Sequence, residues 1–318
     1  MPRKRPKGVL AMGWACIECA ATGRTEHAPT SADYPDTVIR RTSFYAGGGH
    51  GWRISALETP REEPAPWRIV VITGAPSWAE YWAETMAELP QDREMIVVDR
   101  PGYAASEPAH AVTDIRTQAE ALAPLLHAAA PGQKILLVGQ SYGAAIASLM
   151  AEANPSRVSA LVLLSGFFGE TGSTARWLLD TGAKALKVIP RDLRHAVMEA
   201  SGQRPQLAHA RRALERLTLP IHMIHGDKDD FAPIEVAERL SREVRTRRPI
   251  NFVRTEGANH FLNDGPAEQL IAALESCIPQ KKAAWTFRLP KLPQIRFPRP
   301  ATAFAPMAPG ATARQQTA

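Results

Sequence analysis

The segment Gly139-Gln140-Ser141-Tyr142-Gly143 places one serine between two glycines, where an apolar run turns polar. A serine hydroxyl attacks a carbonyl only when a base accepts its proton and an acid holds that base in the right tautomer. Both residue types occur downstream. The stretch PIHMIHGDKDDFAP (220–233) offers Asp227, Asp229 and Asp230, and INFVRTEGANHFLN (250–263) offers His260 just after Gly257. The chain order of serine, acid and histidine suits nucleophilic acyl transfer at the carboxyl ends of parallel strands. The residues alone leave the choice among the three acids open. His222 lies inside a strand pattern and His225, at its end, reads as structural. His50, His127, His195 and His209 fall in a hairpin, on a helix and in a helical insertion.

Such side chains need elements to position them. Ile135 to Val138 are apolar without a break, as in a strand buried on both faces. Ala144 to Ala151 are mostly small and apolar at helical spacing, so Ser141 sits at an abrupt strand-to-helix turn whose glycines allow close passage. Ser43–Leu57, with Gly47-Gly48-Gly49 inside, reads as two strands around a glycine turn. Further strands are expected at 67–73, 95–99, 134–139, 158–164, 220–225 and 250–254. Helices are expected at 78–89, 114–130, 233–244 and 266–278. This alternation predicts an α/β fold, a mostly parallel central sheet with helices on both faces. Between 165 and 219 the strands stop and helical stretches follow at 175–189, 192–200 and 206–217. The expected organisation is a poorly structured basic segment (1–42), a first core part (43–165), a small helical cap insertion (166–218), a second core part (219–278) and a proline-rich basic tail (279–318).

The net charge of +6 is concentrated at the ends. Residues 1–30 carry a net +3, and residues 279–318 hold seven basic side chains and no acid, so the middle is mildly acidic. No specific nucleic-acid partner is expected of such a globule. Basic residues interleaved with aromatics in the tail could touch an anionic surface weakly. Cys16, Cys19 and Cys277 make no disulfide framework, and the lone C-x-x-C is read as two unrelated thiols. Neither metal nor cofactor is expected. The basic, partly apolar start looks like a truncated export signal interrupted by Glu18, and no stretch reaches the roughly 18 apolar residues of a membrane span. A cytoplasmic location is expected, and the oligomeric state is left open.

Several of these motifs together resemble the α/β-hydrolase fold superfamily, in its serine-nucleophile branch of esterases, lipases and peptidases with a helical cap. The resemblance covers roughly residues 44–278. The elbow matches at 139–143, a D-R-P-G-x-G-x-S segment matches Asp99–Ser106 with Ala104 replacing the second glycine, and G-x-x-H matches Gly257–His260. The family's G-x-x-D matches Gly226–Asp229, which implies Asp229 as the triad acid beside Ser141 and His260. It also implies an oxyanion hole from the backbone N–H groups of Ala75 and Tyr142, although the loop reads Thr73-Gly74 where the family usually has His-Gly. Relatives that act as dehalogenases or epoxide hydrolases carry aspartate at the elbow, so Ser141 implies hydrolysis of a small or medium apolar ester, thioester or amide. Phe167, Phe168 and Trp177, with Leu178 and Leu179, are candidates for an acyl-binding wall. Alternatives on the same scaffold are a peptidase, a carbon–carbon bond hydrolase or a cofactor-free haloperoxidase-like enzyme. A non-catalytic binding module is the alternative from another class.

Overall fold

The computed structural model describes residues 29–264 and 266–279. The Cys16/Cys19 pair, the signal-like start and the basic tail lie outside the described residues. Eight strands form one sheet: β1 (Arg40–Tyr45), β2 (Arg53–Glu58), β3 (Trp67–Ile72), β4 (Arg93–Val98), β5 (Lys134–Gln140), β6 (Val158–Leu164), β7 (Ile221–Gly226) and β8 (Asn251–Thr255). Their order is β1-β2-β4-β3-β5-β6-β7-β8. β1, β2 and β4 pair antiparallel, and every pairing from β4 to β8 is parallel. The order turns back at β3, between β4 and β5, and crevices open at such a switch point, beyond the carboxyl ends of the strands.

The unbroken apolar runs are explained by a two-sided sheet. Val70, Ile72, Ile135, Leu137, Leu161 and Leu163 join one core, while Ile69, Val71, Leu136, Val138, Val162 and Leu164 join the other. Alternate residues face opposite sides, so both parities must be apolar. The first core is covered by α2 (Ile115–Leu122), α4 (Gly143–Ala153) and α7 (Leu207–Arg216). The second is covered by α1 (Ala83–Ala87) and α9 (Ala267–Ser276). α8 (Ile234–Glu243) follows β7 and buries Ile234 and Ala237.

Four boundaries differ from the sequence expectation. The helix expected at 114–130 is two pieces, α2 and α3 (Pro124–His127), because Pro124 has no N–H to continue the ladder. Asp114 starts α2 by accepting the N–H groups of Arg116 (2.8 Å) and Thr117 (3.0 Å). The helix expected at 78–89 is a 3₁₀ turn at Ala79–Trp82 leading into the short α1. The core takes in residues before 43: Ile39 is buried, β1 begins at Arg40, and Arg41 pairs with Glu80 and with Asp99 (2.8 Å). Between β6 and β7 lie α5 (Ser173–Lys184), α6 (Arg191–Gly202) and α7, but the last belongs to the core layer, where Ala210 and Leu214 are buried.

Candidate active site

β5 ends at Gln140 and α4 begins at Gly143, so the chain reverses within two residues. Ser141 has φ +50°, a left-handed conformation that strains a residue with a Cβ by about 1–3 kcal/mol. The turn is held by the Ser141 N–H donating to Leu164 C=O (2.9 Å). The Ser141 C=O in turn accepts from the N–H groups of Ala144 (3.1 Å) and Phe167 (3.0 Å). Both flanking glycines are sterically required. A Cβ on Gly143 would lie 2.2 Å from the Ile72 carbonyl oxygen, and one on Gly139 would lie 2.7 Å from Ala144 Cα and Ala147 Cβ. Strand, helix and neighbouring strand thus crowd together so that Ser141 projects at the sheet's switch point.

The structure brings Asp229, His260 and Ser141 into one hydrogen-bonded line. Asp229 Oδ2 lies 2.8 Å from His260 Nδ1, and His260 Nε2 lies 2.9 Å from Ser141 Oγ. The other Asp229 oxygen accepts the N–H groups of Phe231 (2.9 Å) and Ala232 (2.8 Å). Burial alone would raise the Asp229 pKa, but hydrogen bonds from His225 and His260 outweigh it and hold the carboxyl below its ordinary range. His260 is buried between rings, stacked on Phe231 at 5.3 Å and edge-on to Phe261 at 5.1 Å. The other acids are engaged elsewhere. Asp227 accepts Gly257 N–H (2.7 Å), Asp230 accepts the N–H groups of Ser173 and Thr174 at the start of α5, and Glu170 pairs with Arg239.

The residues suggested for an oxyanion hole flank the serine. Tyr142 follows it directly, and a Cβ on Gly74 would lie 3.0 Å from Ser141 Cβ, so the loop at Gly74 rests against Ser141. Among the described residues neither the Ala75 nor the Tyr142 N–H has a hydrogen-bond partner. Threonine in place of histidine at 73 is accommodated: its hydroxyl donates to Val98 C=O (2.9 Å) and bonds the Ser77 hydroxyl, which accepts Arg100 N–H (2.8 Å).

Two features escape a reading of the sequence. His225, read as structural, places Nε2 3.0 Å from Asp229 Oδ2 and 2.7 Å from Ala232 C=O, so it braces the acid. Its position just before Gly226 was the available signal. The second is α6, whose buried residues are Asp192, His195 and Glu199 rather than an apolar stripe. Asp192 accepts Trp78 Nε1–H (2.7 Å) and Ala104 N–H (3.0 Å), and His195 Nδ1 lies 2.8 Å from Gly102 C=O. Glu199 takes both arms of the Arg100 guanidinium, at 2.7 and 2.8 Å. No short-range pattern announces a charged inner face.

The acyl-wall candidates separate. Phe167 is buried in the first core, and its N–H reaches the Ser141 carbonyl. Phe168 packs beside that core and helps line a cavity of about 190 Å³ with Leu207, Val236 and Leu240. None of Ser141, Asp229 and His260 lines that cavity. Trp177 is 58 % exposed on α5, so the structure does not bring it into a wall. Leu178 and Leu179 beside it are half-buried.

Residues 68–196 match the family model described as alpha/beta hydrolase fold. A comparison with curated proteins finds no match. Solved structures do match. One is a thermophilic esterase from Thermogutta terrifontis, 19 % identical, covering 74 % of this chain and 97 % of that one, with a TM-score of 0.57. A second is a monoacylglycerol lipase from Paleococcus ferrophilus, 15 % identical over 70 % of this chain and 98 % of that one, with a TM-score of 0.54. A third is a haloalkane dehalogenase mutant from Agrobacterium tumefaciens, 17 % identical over 78 % and 99 %, with a TM-score of 0.58. At such identities the likeness establishes the fold, and one fold serves several chemistries.

Proposed function

We propose that this protein, which has the alpha/beta hydrolase fold, is a serine hydrolase cleaving a small or medium apolar carboxylic ester through an acyl-enzyme. One observation carries the reading: the continuous line from Asp229 through His260 to Ser141, with contacts of 2.8 and 2.9 Å. In this reading His260 Nε2 takes the hydroxyl proton as Ser141 Oγ attacks the carbonyl carbon. The ionised Asp229 stabilises the imidazolium that forms. The Ala75 and Tyr142 N–H groups receive the oxyanion, and backbone donors fixed beforehand need no reorganisation as charge develops. His260 then returns the proton to the departing alcohol. Water, deprotonated by the same nitrogen, cleaves the acyl-enzyme and regenerates Ser141.

The stacked ring of Phe231 and the edge-on ring of Phe261 support the reading, because they keep the imidazole in place and shield it from bulk water. The helices α5 and α6, inserted where a cap is expected, would bound the acyl pocket. Fluorophosphonate treatment followed by intact-mass analysis tests the proposal. A single adduct is expected, absent in S141A. A folded wild-type protein without an adduct, or an adduct that persists in S141A, would refute it.

A further inference from the structure

A fully buried cation grips the oxyanion loop from the side away from solvent. Arg100 has no exposed surface, and its Nε–H donates to Thr73 C=O (2.9 Å) and one Nη2–H to Gly74 C=O (2.7 Å). The remaining donors reach both Glu199 oxygens and Gln118 Oε1 (2.6 Å). Glu199 is itself fully buried on α6, and also accepts from Tyr103 Oη–H (2.5 Å) and Gln118 Nε2–H (2.7 Å). The same guanidinium lies 4.9 Å from the centre of the Tyr142 ring. Arg100 therefore touches Tyr142 itself and, through the Gly74 carbonyl, the peptide that carries the Ala75 N–H.

Peptide planarity turns these contacts into a constraint on the donors. Gly74 C=O and Ala75 N–H belong to one planar peptide, which is trans, so they point in opposite directions. Fixing the carbonyl on Arg100 fixes where the N–H points, and a cation on the oxygen draws density from the nitrogen and strengthens that N–H as a donor. Stability gives no separate reason for an arginine here, since a buried ion pair is commonly matched by apolar side chains of equal volume. A planar fork that meets two carbonyls and a carboxylate at once does give one.

Resting on the serine-hydrolase reading above, we infer that Arg100 is the positioning residue of the oxyanion hole and that Glu199 anchors it from α6. The inserted helix then helps set the strength of the Ala75 donor. Arg100 touches no reacting atom, so its removal should weaken the transition state and spare ground-state binding. The test replaces both partners, as R100M/E199M, because removing one alone would strand a buried charge. Expected is a folded protein whose kcat on a soluble p-nitrophenyl ester falls about 10- to 100-fold, less than loss of a whole donor causes. Affinity for a trifluoromethyl ketone, which forms an oxyanion on the serine, should fall in parallel while KM stays within about threefold.

If the double variant does not fold, R100K decides, since it keeps the charge and loses the fork. It should show the same parallel fall at smaller size. A folded variant with unchanged kcat and ketone affinity, or one altered in KM alone, would overturn the inference. Fluorophosphonate labelling of Ser141 in the wild type separates the two claims. Without that label the hydrolase reading itself fails; with it, and with unperturbed variants, only the role of Arg100 falls.

Discussion

Two regions support the surroundings of the candidate site, and they are built by opposite rules. The strand-end side, around β3, β5 and α4, is packed by exclusion: Gly139 and Gly143 leave no room for a methyl group, and the residues behind them are aliphatic. The α6 side is packed by satisfaction: its buried residues are polar, and each is matched to a donor or acceptor on the loops after β3 and β4. An apolar contact tolerates small shifts, because dispersion falls off gradually, whereas a charge-assisted network has one good geometry. The contrast is that the Ser141 turn is held by steric constraint on the backbone, and the 73–77 loop by polar contacts that the proposed reading makes an oxyanion clamp.

The largest expected effect lies on the strand-end side. D229N should stay folded and lose on the order of 10⁴ in ester turnover, because the amide lets His260 settle in the wrong tautomer. D227N and D230N, whose carboxylates serve Gly257 and the start of α5, should remain close to wild type. Turnover of the three variants on one soluble ester checks this, and equal losses would remove Asp229 from its special place. The Asp229 pKa is depressed in the folded protein, so its contribution to stability is fully present above its ordinary value of about 4 and is lost as pH falls further. The stability gap between wild type and D229N should therefore narrow as unfolding is measured below about pH 4.

Next in size is the steric claim. G143A puts a methyl group 2.2 Å from the Ile72 carbonyl oxygen, a backbone atom that cannot swing aside. A loss of about 3 kcal/mol or more, or failure to fold, is expected, at or above the top of the usual range for overpacked cores. Urea unfolding measures it, and a loss below about 1 kcal/mol would show that the elbow is not tightly enclosed.

The polar side should respond to chemistry rather than to volume. D192L leaves the Trp78 indole N–H and the Ala104 N–H without their acceptor, at about 1–3 kcal/mol. D192N keeps an acceptor oxygen and should lose less. If the leucine variant is the more stable of the two, α6 is held by ordinary apolar packing and the comparison collapses.

The same contrast explains what was legible in the sequence. Both parities of β3, β5 and β6 are apolar, and a short unbroken run such as Ile135–Val138, flanked by glycines at 132 and 139, suits a strand buried on both faces, so the two-sided parallel sheet could be read. The elbow was legible because glycines at 139 and 143 bracket a polar residue between a strand and a helix. Asp229 was not separable from Asp227 and Asp230 by residue type. Beyond the G-x-x-D resemblance, what sets Asp229 apart is tertiary: two backbone N–H groups on one oxygen and two histidines near the other. The burial of Asp192, His195 and Glu199 was not legible because their partners, Trp78, Gly102 and Arg100, lie about a hundred residues away, beyond any local pattern. Pro124 is the reverse case, a visible helix breaker passed over because the apolar period continues through it.

The smallest effect concerns α5, which belongs to neither regime. Ala175 is its one buried residue among those described, and Trp177 stands 58 % exposed, so little free energy rests on that ring in this conformation. W177A should change stability by no more than about 0.5 kcal/mol. Turnover of a short-chain soluble ester should likewise be unchanged, since α5 reaches the acid loop only through Asp230 at its first residues. Acyl-chain length turns this into a probe of the acyl wall. With α5 as it stands, KM for esters of increasing chain length should follow the same trend in W177A and wild type. A several-fold rise in KM confined to long chains, with kcat and stability unchanged, would mean that α5 folds its indole inward over bound substrate. The inserted side would then contain both a fixed clamp in α6 and a moving wall in α5.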